Sequence, residues 1–100
     1  MEFYDRKATF SVEQGPEGVH VTFVSIHMGN RELQLESKED FAHLPEREQY
    51  HLLEARDTLV ASVDQALQSD PSALSLPIRA QVYWADMGGR KRVELGLAQD

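Results

Sequence analysis

Four histidines and one run of three cations are the residues whose chemistry first invites attention. His20, His27, His43 and His51 would have to act in pairs to chelate a metal, and their spacing does not pair them. His20 and His27 have opposite parity along one extended stretch, and His43 and His51 are eight residues apart across Pro45. Neither interval brings two imidazoles to one face of a strand or one turn of a helix. The reading is therefore no metal and no cofactor. His51 and Glu54 are helical neighbours, which suits a surface hydrogen bond better than an acid-base couple. Ser11, Ser25 and Ser62 lie outside any Gly-x-Ser-x-Gly elbow, and no glycine-rich strand-to-helix loop is present to hold a phosphate. An active site would need carboxylates converging from separate segments, which spacing does not reveal. A non-enzyme is the expectation.

Arg90, Lys91 and Arg92 follow Gly88-Gly89, a strong hairpin-turn signal because glycine adopts positive φ at little cost. With Arg79 they are the residues a nucleic-acid-associated module would use on phosphate. Alternation along a strand, however, sends Lys91 to the side opposite Arg90 and Arg92. Tyr83 and Trp84 likewise split between two faces, whereas a single-strand platform needs aromatics and cations together. The run reads first as a solvated hairpin end whose charges discourage edge pairing. Nucleic-acid binding is the alternative.

The elements that position these groups follow from hydrophobic periodicity. Ala8, Phe10 and Val12 alternate on one strand face, Gly15-Pro16-Glu17-Gly18 supplies the loop, and Val12 falls opposite Val21, Phe10 opposite Phe23. After Gly29-Asn30, a third strand has two registers. A two-residue loop with Gly first pairs Leu33 with Ile26; a three-residue loop with Asn30 left-handed pairs Leu33 with Ser25. The second makes one continuous apolar face and is the expected one. It leaves Val24, Ile26 and Met28 on the other face, where they form an apolar patch unless a bulge near Phe23 turns them inward.

Ser37 and Asp40 resemble a helix start, and Pro45 suits the first turn of a long helix over residues 45–68. Leu52, Leu53, Leu59, Val60, Val63, Ala66 and Leu67 recur at helical spacing, with Arg56 at the edge of the stripe. Glu46, Glu48, Glu54, Asp57 and Asp64 are expected on its exposed side. A final hairpin then pairs Trp84 with Val93, Val82 with Leu95 and Ala80 with Leu97, and sets Asp86 opposite Lys91.

The order β-β-β-α-β-β predicts a small single α+β domain over residues 1–100, an antiparallel sheet with one long helix packed across one face. One hundred residues suffice for one core, and the absence of cysteine excludes disulfides and zinc-thiolate chemistry. No apolar run reaches membrane-spanning length and no signal peptide opens the chain, so a cytoplasmic protein is expected. A formal net charge of -7 repels polyanions. Together these readings point to a non-enzymatic protein-binding module: an acidic inhibitor, immunity-type or adaptor protein of the sort phages and mobile elements carry. It would bind a basic protein through the acidic helix face. A homodimer is also expected, packed sheet against sheet through Val24, Ile26 and Met28 or joined along a strand edge.

Overall fold

The computed structural model describes residues 4–85 and 90–97. Strands β1 (Arg6–Gly15), β2 (Gly18–Met28) and β3 (Arg31–Gln34) precede a short helix α1 (Lys38–Ala42) and a long helix α2 (Glu46–Ser69); β4 (Ile78–Trp84) and β5 (Lys91–Leu97) follow. All neighbouring strands are antiparallel, in the order β3-β2-β1-β4-β5. At about 1.5 Å per residue α2 is about 36 Å long, enough to cross the sheet on its way from the β3 edge to β4. The expected α+β architecture is the one observed. No helix among the described residues is long and apolar enough to cross a membrane.

The first hairpin forms as its apolar pattern requires: Val12 pairs with Val21 and Phe10 with Phe23. Its loop is tighter than the four residues expected, since Gly15 and Gly18 are themselves paired and only Pro16 and Glu17 lie between them. Gly18 has φ +128°, a conformation that favours glycine.

The second hairpin departs from expectation. Ile26 pairs with Leu33 and Ser25 with Gln34, the register of the two-residue loop. Gly29 takes φ +62° and no non-glycine residue described has positive φ, so Asn30 does not supply the left-handed residue that the longer loop needs. A bulge explains why the core stays continuous. Thr9 pairs with Ser25 but Phe10 pairs with Phe23, leaving Val24 as the extra residue. One inserted residue reverses side-chain parity. Phe23 and Ile26 therefore both face α2, and Ile26 is 0% exposed.

The last hairpin is shifted by two residues from the expected register: Val82 pairs with Val93, Ala80 with Leu95 and Trp84 with Lys91. Gly88-Gly89 and Asp86, on which the expected turn and the Asp86–Lys91 pair rested, lie outside the described residues. A two-residue shift keeps every side chain on its own face, so Ile78, Ala80, Val82 and Trp84 still point into the core.

Ser37 caps α1 through a capping box: its hydroxyl accepts from the Asp40 N–H at 3.1 Å, while the Asp40 carboxylate accepts from the Ser37 N–H at 3.2 Å. Pro45 opens α2 and Asp70 ends it. Against the sheet α2 buries Glu48, Leu52, Ala55, Leu59 and Val63, spaced by three or four residues. Leu53 was expected in that stripe but is 38% exposed, because it sits a further 100° around the helix from Leu52.

Candidate protein-binding surface

Glu48 is the carboxylate that sequence reasoning misplaced. Expected in solvent, it is 3% exposed and lies under α2. β1 explains this. Ala8, Phe10 and Val12 face the helix, so by parity Arg6 does too, and its Nε donates to both Glu48 oxygens at 3.3 and 3.4 Å while Nη2 donates to Oε1 at 3.4 Å. Arg6 Nη1 also lies 3.2 Å from the Asp5 carboxylate. Glu54 is engaged as well, paired with Lys91 across from β5. Burial pushes the Lys91 ammonium below its usual value. Beside these pairs the His51 and Trp84 rings lie 6.3 Å apart, and His51 Nδ1 and Trp84 Nε1 are buried without a hydrogen-bond partner among the described residues.

Of the five expected carboxylates Glu46, Glu54, Asp57 and Asp64 are exposed, Glu54 toward Lys91 and the other three on the outward side of α2. Asp57 carries Arg56 at 3.4 Å and remains largely in water. Between the acids stand Tyr50, 63% exposed, and Leu53, the two exposed large hydrophobic residues among those described. Residues 46, 50, 53, 57, 61 and 64 recur at intervals of three or four, which places them on one outward stripe opposite the buried one. Tyr50 packs edge-on against His51 at 5.7 Å between ring centroids. Sequence reasoning missed this site because Leu53, next to Leu52, was counted in the core stripe; the signal was Tyr50, an aromatic one turn from it and off that stripe.

The apolar sheet patch does not exist as a surface. Ile26 is in the core, Met28 packs against it and Val24 is the half-buried bulge residue. The basis for a sheet-to-sheet homodimer goes with it. The open sheet face is instead polar, carrying Lys7, Arg79 and Arg92 with Glu13, Glu32 and Glu94. Among the four cations of the nucleic-acid alternative, Lys91 turns toward α2. Arg92 lies over the Tyr83 ring at 5.6 Å and pairs with Glu94. Arg79 and Arg90 are exposed. His27 Nδ1 lies 3.7 Å from Glu32. Among the described residues no three His, Asp or Glu side chains gather where they would hold a metal.

Charge is distributed unevenly over these faces. Between residues 36 and 70 nine carboxylates stand against three cations, which accounts for nearly all of the formal -7. The acidity belongs to the helical layer. Comparison with protein-family models, curated proteins and solved structures gave no match.

Proposed function

We propose that this protein is a non-enzymatic protein-binding module that occupies the surface of a basic partner with the outward face of α2, as an inhibitor or adaptor does. The observation that carries this reading is the pair Tyr50 and Leu53, exposed one helical turn apart and bordered by Glu46, Asp57 and Asp64. An apolar centre with a charged rim is the anatomy of a protein interface, and tyrosine is a favoured anchor in one. The acidic layer would speed encounter with a basic surface and make it sensitive to salt.

Affinity capture of the tagged protein from lysate of its own source, with and without nuclease, tests the proposal. A stoichiometric protein is expected to survive nuclease and to be lost with Tyr50→Ala and Leu53→Ser. Each change should weaken binding by about 2 kcal/mol, roughly thirtyfold, if these residues are anchors. Circular dichroism should remain native, since neither side chain belongs to the core. Capture that these substitutions leave intact would refute the assignment. The rival reading is favoured by one observation: Arg79, Arg92 and Lys7 share the open sheet face with Tyr83, whose ring lies 6.3 Å from that of Tyr4. Capture that vanishes with nuclease would support it.

A further inference from the structure

Between residues 18 and 23 the outer edge of β2 has no strand beside it among the described residues. β3 pairs only with Ser25 through Met28; a last hydrogen bond runs from the Leu35 N–H to the Val24 carbonyl at 2.9 Å, and the chain then leaves for α1. Alternate residues of this segment must turn their N–H and C=O groups outward. Edge strands are ordinarily blunted by charge, proline or shortness. β3 is four residues long and carries Arg31 and Glu32, and β5 carries Lys91, Arg92 and Glu94. Val19-His20-Val21-Thr22-Phe23 has no Lys, Glu, Asp or Pro.

A groove of about 450 Å³ meets this edge at Thr22 and Phe23. Phe23, Leu35 and Phe41 line its floor and Thr22, Glu36 and Lys38 its rim. The Phe23 and Phe41 rings stack at 5.3 Å, held from below by Phe10 at 5.5 Å from Phe23. Open backbone groups beside an apolar slot are the two parts of strand-addition recognition: main-chain hydrogen bonds supply affinity and the slot reads one side chain. Charge selects the occupant. Glu13 and Glu17 stand at one end of the edge, Glu36 and Glu39 at the other with Lys38 beside them, while Arg56, 6.0 Å over the Phe23 ring, is paired with Asp57. A second copy laid antiparallel would bring acid against acid at both ends; a segment with cationic ends would not.

We infer that the β2 edge over residues 18–23 accepts an extended segment of a partner protein as a sixth strand. An aromatic or branched aliphatic side chain enters the groove, and Lys or Arg flanks the strand at each end. This surface is separate from the outward face of α2.

The probe is the peptide Lys-Lys-Val-Thr-Phe-Thr-Val-Lys-Lys, followed by amide NMR of the full chain. Saturable shifts and at least about tenfold slower amide exchange are expected within residues 19–23. A peptide N-methylated at alternate residues keeps every charge and side chain but loses the strand hydrogen bonds, so it should not bind. Thr22→Lys, a change at an exposed position, should weaken binding about tenfold by placing a cation on the edge. Leu53→Ser should leave it unchanged, which separates this inference from the α2 assignment. Equal binding by the N-methylated peptide, or no shift at about 1 mM probe, the limit of weak affinity, would overturn it. So would protection of the same amides in the free protein with sedimentation as a dimer, which would give the edge to a second copy.

Discussion

Replacing Arg6 with Met removes the cation from beneath α2 and leaves the Glu48 carboxylate at the sheet surface. Glu48 side-chain exposure is 4% and Arg6 exposure is 15%, so the two partners do not suffer equally. Losing one member of a buried pair costs about 3–5 kcal/mol when the other has no escape. At 4% exposure the Glu48 carboxylate has none, so Arg6→Met should cost about that much. Glu48→Gln should be milder, about 1–2 kcal/mol, because the amide leaves no buried charge and Arg6 keeps the Asp5 carboxylate at 3.2 Å. Arg6→Met combined with Glu48→Leu should restore much of the loss, since an apolar pair of similar volume meets no desolvation penalty. Urea denaturation followed by circular dichroism at pH 7 provides the measurement. An Arg6→Met cost no larger than that of Glu48→Gln, or a double variant that loses the sum of the singles, would refute the reasoning.

Gly29 has φ +62° and open space where a Cβ would stand, so the penalty of a side chain there is conformational rather than steric. Gly29→Val should cost about 1–2 kcal/mol in urea denaturation, and Gly29→Asn distinctly less. At the end of α2, the Asp70 carboxylate accepts from the Ser72 hydroxyl at 2.7 Å and the Ser72 N–H at 3.0 Å, which together hold it below its usual value of 3.8. A lowered carboxylate contributes stability that is present above 3.8 and lost as pH falls through the folded value. Ser72→Ala should therefore move Asp70 back toward 3.8 in an NMR titration and narrow the stability difference between neutral and acid pH; an unmoved titration would discard the hydroxyl as the main cause.

Legibility in the sequence followed from how many arrangements each pattern allows. Val12, Val21, Phe10 and Phe23 admit one register around residues 15–18, and that register formed. Trp84, Val82, Val93 and Leu95 admit two, because a slip of two residues keeps every side chain on its face. Only the turn distinguishes them, so periodicity could not choose. Val19, Val21 and Phe23 against Val24, Ile26 and Met28 announced a change of parity in mid-strand. A bulge was one of two readings, and the pattern alone does not say which half faces the helix. Glu48 failed for a different reason. Helical spacing already put it four residues before Leu52, but a carboxylate is not assigned to a core stripe until its cation is found, and Arg6 is forty-two residues away.

The stability of α2 depends on the side that carries Glu48, Leu52, Ala55, Leu59 and Val63, so folding leaves the opposite side almost unconstrained. Polar residues at positions 50 and 53 would serve a solvated helix as well or better, since an exposed ring and an exposed isobutyl group contribute little to the folded state. Their presence among carboxylates is what the proposed interface would use. The electrostatics point the same way. Lys91 is spent on Glu54 and Arg92 on Glu94, while the helical layer keeps a large excess of acid. On the proposed function, a basic partner would be drawn toward α2 before any contact forms, and Tyr50 and Leu53 would be the apolar groups it meets on arrival. Salt should then slow association more than it hastens release, and the two side chains should govern release.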